Sequence, residues 1–286
     1  MEKFRQGMWI LISLVSILSV IAPACHLSRL PDVHFEATPQ DVVEEMFEVA
    51  KVTKDDIVYD LGCGDGRFVI TAAKKYGARG VGIDIDPERI QESQKKAMEA
   101  GVTDRVTFIE EDLFKTDIRE ATVITLYLLQ DLNLRLRPKL LQELKPGSRV
   151  LSYVFHMGDW KPDDKRSFGI STSYFYLWVI PADVAGIWRG SVPTQKSDQP
   201  STLQLKQSFQ EIKGYLTIGG GRHLRIKDAR LTGDRLRFTV KYEEAGKQKV
   251  VMQFNGRVSG DTLHGDVEVI EGPWVGKYPW TAKRTP

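Results

Sequence analysis

The chain divides by the period of its apolar positions. After Thr38-Pro39-Gln40-Asp41, the residues Val42, Val43, Met46, Phe47 and Ala50 recur at helical spacing. Thr38 is suited to cap that helix and Pro39 to open its first turn, with Asp41 where a capping-box acid sits. Four elements then alternate: strand "IVYDL", helix "RFVITAAKKYG", strand "GVGID" and helix "PERIQESQKKAMEAG". Strands "VTFIEE" and "TVITLYLL" follow, then a helix through "NLRLRPKLLQELK", strand "SRVLSYVF" and a long aromatic strand "SYFYLWVIP" expected at one sheet edge. Such alternation predicts right-handed βαβ units around a parallel sheet covered on both faces.

From Gly186 onward the helical period is lost. Short alternating runs replace it, among them "STLQLKQSF", "LRIKDARL", "RLRFTVKYEE", "QKVVMQFNGRV", "DTLHGDVEVI" and "YPWTAKR". Thirteen of the 24 glycines fall here, which marks frequent turns and predicts an antiparallel all-β unit, a barrel or a sandwich. The pattern therefore gives an N-terminal segment 1–28, an α/β domain 29–185 and a β domain 186–286.

The N-terminal segment has Lys3 and Arg5 ahead of an uncharged run, Gly7 to Cys25, and the next cation is Arg29. A basic start, an apolar middle and Ala22-Pro23-Ala24 fit a secretory signal, and Cys25 hints at lipid attachment. The run also reaches the ~17–25 residues of a membrane span, so an uncleaved anchor fits equally well. Membrane association through this segment is the expectation. The flanking cations would place the following domain outside.

Over 286 residues the net charge is +2 and no block of basic residues stands out, so nucleic acid is not the expected partner. Cys25 and Cys63 are the two cysteines, and the five histidines show no metal-ligand spacing, so no metal is expected.

The candidate chemistry starts at "DLGCGDGRF". A dinucleotide-binding loop G-x-G-x-x-G begun at Gly62 needs glycine at position 67, which is Arg67, and no Gly-Lys-Ser/Thr follows for a P-loop. The pattern present is Asp60-x-Gly62-x-Gly64-x-Gly66. A second acid, Asp84, ends the next strand in "VGIDID", and a third, Asp112, follows the strand after that in "EEDLF". Three acids at the carboxyl ends of successive parallel strands stand where such sheets bind ligands.

This arrangement resembles motif I and its companions in class I S-adenosylmethionine (SAM)-dependent methyltransferases. The resemblance implies a Rossmann-like sheet and cofactor contacts from Thr38, Asp60, Gly62, Cys63, Gly64, Gly66, Asp84, Ile85, Asp112 and Leu113. It assigns Asp84 to the ribose hydroxyls, Asp112 to the adenine amino group, and Ile85 and Leu113 to the ring's apolar walls. A narrower similarity lies in Tyr127-Leu128-Leu129, Asn133, Ser152 and Trp160-Lys161-Pro162. These resemble the family of lysine methyltransferases that modify ATP synthase and adenine nucleotide translocase, with Gln130 where that family commonly has proline.

That similarity implies an acceptor lysine on a protein partner, with Tyr127 as the residue that lines the acceptor pocket and orients the amine. It leaves open a small-molecule, lipid or RNA acceptor, or an exported β-barrel binding protein with a relic methyltransferase domain. In the β domain "GIW" and "WTAKR" loosely resemble the Trp and Arg that close lipocalin-like barrels.

Overall fold

The computed structural model describes residues 34–168, 173–244 and 248–285. The segment 1–28, with Cys25, lies outside these residues. Among the described residues no helix is long and apolar enough to cross a membrane.

The helix α1 (Gln40–Ala50) buries Val42, Val43, Met46, Phe47 and Ala50, the face its periodicity predicts. It starts one residue later than expected. Pro39 is the N-cap and Thr38 does not cap it; instead the Thr38 carbonyl accepts from the Arg67 guanidinium. Strand β1 (Ile57–Leu61) leads to α2 (Arg67–Tyr76), β2 (Arg79–Asp84), α3 (Pro87–Ala100), β3 (Val106–Glu110), β4 (Val123–Leu126), α4 (Gln130–Glu143) and β5 (Arg149–Tyr153). Two more strands, β6 (Asp164–Ser167) and β7 (Tyr174–Val179), complete a sheet of order β3-β2-β1-β4-β5-β7-β6.

The first five strands are mutually parallel, and β7 runs antiparallel to β5. β7 is not the edge strand expected. The short polar β6, whose sequence Asp-Lys-Arg-Ser carries no apolar alternation, pairs outside it. The strand order grows to one side of β1 through β2 and β3 and to the other through β4 and β5, so a crevice opens at the carboxyl ends of β1 and β4. At the opposite ends, Asp56 accepts from the Thr53 amide, from Thr122 and from Arg149, tying the entries of β1, β4 and β5 together. The rigid end and the ligand-facing end of the sheet are thus separated.

The second sheet is antiparallel throughout. Its nine strands run from β8 (Gly186–Val192), β9 (Gln199–Ser208), β10 (Glu211–Ile218), β11 (Arg222–Arg225) and β12 (Lys227–Thr232) to β13 (Arg235–Glu244), β14 (Gln248–Ser259), β15 (Thr262–Glu271) and β16 (Gly276–Thr285). The order is β11-β10-β9-β8-β16-β15-β14-β13-β12. The two end strands, β11 and β12, are consecutive in the chain and joined at Ile226, whose amide donates to Gly214 O at 3.1 Å. The sheet therefore curls into a barrel rather than a sandwich. β10, in "EIKGYLTI", was not among the predicted strands, and "LRIKDARL" proves to be two strands that meet at the closure.

Its interior is packed with side chains that include Trp188, Phe238, Phe254 and Trp280. The Arg284 guanidinium lies 4.6 Å from the Trp188 ring, and the Trp188 indole donates to Val184 O, so the Trp and Arg singled out in the sequence do meet and seal one end.

The turn between β9 and β10 reaches the first sheet. Phe209 stacks on Trp160 with ring centroids 5.6 Å apart and lies under Arg137 at 5.4 Å. Gln210 accepts from the Trp160 indole at 2.9 Å and donates to Lys161 O at 2.6 Å. Phe209 holds φ at +54°, a cost tolerated because neighbouring contacts fix it. Phe209→Ala should remove roughly 1–3 kcal/mol of stability in urea titration, a partly buried aromatic being lost. The same substitution should shift Trp emission to the red as Trp160 meets water.

Candidate active site

The carboxyl ends of β1, β2 and β3 border a cavity of ≈ 490 Å³, a size within the ~300–1,000 Å³ range of small-ligand sites. Its lining includes ten residues singled out in the sequence: Thr38, Asp60, Gly62, Cys63, Asp84, Ile85, Asp112, Leu113, Tyr127 and Leu128. Gly64 and Gly66 belong to the same loop but support it rather than face the space.

All three loop glycines have positive φ, at +88° for Gly62, +52° for Gly64 and +79° for Gly66, where side chains are strained. Space matters as much as dihedral angle. A Cβ on Gly64 would sit 2.1 Å from the Phe35 ring, and one on Gly66 would meet Phe108 and Ser93 at 2.8 Å. The loop is held to β2 because the amides of Gly62 and Cys63 both donate to Ile83 O, at 2.8 and 2.9 Å. The Gly64 amide donates to Asp84 Oδ2 at 2.9 Å, and the Asp86 amide to Asp84 Oδ1 at 3.0 Å. Asp84 is thus oriented before any ligand arrives, with about half of its four lone-pair sites still free.

Asp60 is buried at the end of β1 and accepts from Thr125 Oγ1 at 2.6 Å. Burial, reinforced by the charges of Asp84 and Asp65 and outweighing the Thr125 hydrogen bond, pushes its carboxyl up to about 8. Asp65 behaves oppositely: burial raises it, but Arg67 and Lys96 outweigh that and hold it at about 2. Cys63 is 4% exposed, and burial pushes its thiol well above the ordinary range, so it serves the loop's packing and is no nucleophile.

Tyr127 lies just past β4, in the turn to α4. Its ring is gripped edge-on by Tyr153 at 4.9 Å and stacked by Phe155 at 6.5 Å. Phe155 is positioned in turn from behind. The buried Asn133 donates to Ser152 Oγ at 3.0 Å and to Phe155 O at 3.2 Å, and Ser152 donates to Phe155 O at 2.7 Å. Asn133 and Ser152 therefore stand behind the wall, and Trp160 is buried beneath Phe209, outside the cavity. Gln130, in the place usual for proline, begins α4 and exchanges hydrogen bonds with the His156 backbone, donating at 2.8 Å and accepting at 3.2 Å. Val154, beside this wall, holds φ at +67°, rare for a β-branched residue.

Phe35, Glu36, Asp65, Arg67, Arg89 and Phe114 also line the cavity, and no sequence motif marks them as doing so. Phe35 and Glu36 lie in an irregular approach to α1 that carries no periodic signal. In sequence Arg67 stands out only as the residue where a dinucleotide-binding loop needs glycine.

Eight lining side chains are carboxylic acids, against the two guanidinium groups of Arg67 and Arg89. The acidic cavity, the crowded glycine loop, the oriented carboxylate beyond β2 and the apolar Ile85 and Leu113 fit a cationic nucleoside. With the sheet order, they define a class I SAM-dependent methyltransferase. The ANTKMT methyltransferase domain family matches residues 60–164. A protein-lysine N-methyltransferase of Saccharolobus islandicus is 46% identical over 157 residues, covering 54% of this chain and 98% of that one. A human lysine N-methyltransferase named for an ATP synthase component is 31% identical over 168 residues, covering 57% and 70%. Among solved structures, an RNA methyltransferase from Salinibacter ruber in complex with S-adenosylhomocysteine is 50% identical, with a TM-score of 0.51, covering 52% of this chain and 96% of that one. The chain belongs to the same methyltransferase family as the S. islandicus and human enzymes, and SAM is its cofactor. The barrel strands β8–β16 lie beyond the residues that the domain family matches.

The raised carboxyl of Asp60 has a sign that can be measured. Below pH ~4 both folded and unfolded chains hold its proton; between ~4 and about 8 only the folded chain does, so stability falls as pH rises across that window. Asp60→Asn, which keeps an acceptor for Thr125, should flatten this fall in thermal unfolding scans from pH 5.5 to 8.5. Parallel curves for the two proteins would show that Asp60 is ionised throughout.

Proposed function

We propose that the protein transfers a methyl group from SAM to the side-chain amine of lysine in a partner protein. The observation that carries this reading is the acidic cavity beside Tyr127. Carboxylates favour a cationic cofactor and a cationic acceptor, and they repel the phosphates that a nucleic-acid substrate would bring. Bound SAM supplies an electrophilic methyl carbon on a good leaving group. In this reading Asp84 takes the ribose hydroxyls, Asp112 lies toward the adenine amino group, and Ile85 and Leu113 flank the ring. Thr38, Asp60 and the Gly62–Gly66 loop with Cys63 shape the remainder.

The chain's own part is alignment and desolvation. Positioning a nucleophile in line with a reacting carbon contributes ~7–11 kcal/mol. Lysine ordinarily titrates near ~10.4 and must arrive as the free amine. Leu128, Leu132 and Phe114 supply apolar surface that penalises the ammonium form, while the acids first attract it. With SAM held there, the free amine would take the methyl carbon as the carbon–sulfur bond breaks, and the extra proton would leave to water. The names of the S. islandicus and human relatives support lysine as acceptor.

The S. ruber relative favours a second reading, methylation of RNA. Against it stands the Tyr127-Leu128-Leu129-Gln130 turn, which lacks the Asn/Asp-Pro-Pro-aromatic arrangement that grips a flipped base.

We also infer membrane association through the segment 1–28, supported by its uncharged run from Gly7 to Cys25. Lys3 and Arg5 favour an inside N-terminus and so an outside position for the domain that follows, whereas use of SAM favours the inside. Fractionation of cells producing the full chain and a chain lacking residues 1–28 tests this: both remaining soluble would refute it.

Calorimetry of SAM binding should show at least a tenfold weaker Kd for Asp84→Ala, about 1.4 kcal/mol. Unchanged affinity in the folded variant overturns the ribose assignment. For the acceptor, the enzyme incubated with labelled SAM and membrane extract should place label on lysine, located by mass spectrometry, and lose it with Tyr127→Ala. Label on RNA, lipid or a small metabolite instead refutes lysine.

A further inference from the structure

Charge is distributed unevenly along the chain. Residues 186–286 carry 17 Lys and Arg against ten Asp and Glu, whereas residues 1–185 carry 23 against 28. A near-neutral total thus hides a basic barrel attached to an acidic N-terminal part. Around β14 and β15 the barrel's cations are met by acids: Lys249 by Glu271 at 2.6 Å, Arg257 by Asp234 at 3.3 Å and Lys277 by Asp266 at 3.4 Å.

The outer face of β16, β8, β9, β10 and β11 is different. Cross-strand register sets Ile187, Gln204, Tyr215 and Arg225 in one row. Two residues further along each strand, Lys283, Arg189, Thr202, Thr217 and His223 form the next row. Lys206 opposes Lys213 in a third. The alternate positions Trp188, Leu203, Leu205 and Leu216 are buried in the barrel, so all three rows face outward. Each strand contributes only one or two cations, which is why no run of basic residues marks the face in the sequence.

Arg189, Lys206, Lys213, Arg225 and Lys283 are exposed and have no ion-pair partner among the described residues. Glu211 is the one acid in these five strands; Lys161 takes it at 2.5 Å, and its charge also acts on Lys213. Like charges directly opposed on neighbouring strands repel, as Lys206 and Lys213 must, and Arg189 and Lys283. Cations placed for solubility alone are interspersed with acids, as around β14 and β15. Five strands cover about 20 Å of the barrel's circumference. Among the cations stand Ile187, 39% exposed, and Tyr215, 42% exposed, whose ring stacks on His223 at 4.4 Å.

We propose that this face docks on a membrane surface rich in anionic lipid headgroups. Headgroup phosphates supply the counter-charge that the five cations lack within the protein. Lys and Arg stems lie along apolar surface while their charged ends stay in the aqueous layer. Tyr215 suits the headgroup layer through its apolar ring and polar hydroxyl. Ile187 separates this partner from a polynucleotide, which uses cations and aromatic rings but gains nothing from an aliphatic side chain between them. The cations also span several strands rather than following one, which suits a plane of headgroups better than an extended acidic segment. None of these residues lines the methyl-transfer cavity, so the inference stands apart from that reading and from the segment 1–28.

The test is co-sedimentation of the full chain with vesicles of phosphatidylcholine and with vesicles of equimolar phosphatidylcholine and phosphatidylglycerol. Binding to the anionic vesicles should be at least roughly tenfold tighter, with the gain shrinking as salt rises. The combined variant Lys206→Gln, Lys213→Gln and Arg225→Gln should lose most of that gain and bind neutral vesicles as before. Its affinity for S-adenosylhomocysteine should stay within about twofold, which reports an intact fold. The matched variant Lys249→Gln, Arg257→Gln and Lys277→Gln should lose far less. Equal affinity for the two vesicles, or a gain that survives the first variant, overturns the docking face. Equal loss in both variants also overturns it, because net charge alone would then account for binding. Tighter binding to poly(U) or poly-L-glutamate than to anionic vesicles, lost in the first variant, assigns the face to a polynucleotide or an acidic protein and overturns the membrane.

Discussion

Two consecutive amides, those of Gly62 and Cys63, share the carbonyl of Ile83. That arrangement fixes the loop after β1 against the end of β2, and much of the site depends on it. With the loop in place, the Gly64 amide reaches Asp84, and Gly64 offers a bare surface on which Phe35 rests. That ring belongs to the approach to α1, which also brings Glu36 into the cavity lining. One backbone contact thereby links the glycine loop to the segment ahead of α1.

The cavity concentrates negative charge where water is scarce, which is unfavourable unless each acid has a reason to stay. Asp65 stays ionised through Arg67 and Lys96, and Asp60, which accepts from Thr125, avoids ionising because burial keeps its proton on. Asp84 is satisfied by two amides. The site is thus prepared for a positive ligand by different compromises at neighbouring carboxyls, a pattern common where binding is electrostatic.

The barrel contributes at a distance. Its β9–β10 turn covers Trp160 and grips Lys161, in the segment following Phe155 and His156. Phe155 in turn braces Tyr127. From the barrel turn to Tyr127 the link runs through ring and hydrogen-bond contacts at Trp160 and Lys161, the backbone back to Phe155, and the Phe155 ring, and the barrel's interior behind the turn is packed.

The sequence by itself determined the parallel α/β order, the buried face of α1, the glycine loop and the acids beyond three strands. Each of these is a local rule: apolar periodicity, glycine where φ must be positive, and acids at strand ends. It also determined the change to an antiparallel β unit, through alternation and turn glycines. What tertiary structure decided was everything that required distant segments to meet. β6 has no apolar alternation and forms because β7 offers it an edge. Barrel closure at Ile226 depends on β10, whose pairing partners are not visible in its own residues. Thr38 yielded its expected cap to a contact with Arg67, because that guanidinium approaches from another element. Asn133, Ser152 and Trp160 look in sequence like site residues, yet they sit behind the wall. Glu36 has no pattern around it, and only folding brings it into the lining of the cavity that Tyr127 also borders, since a meeting of distant residues leaves no period in the chain.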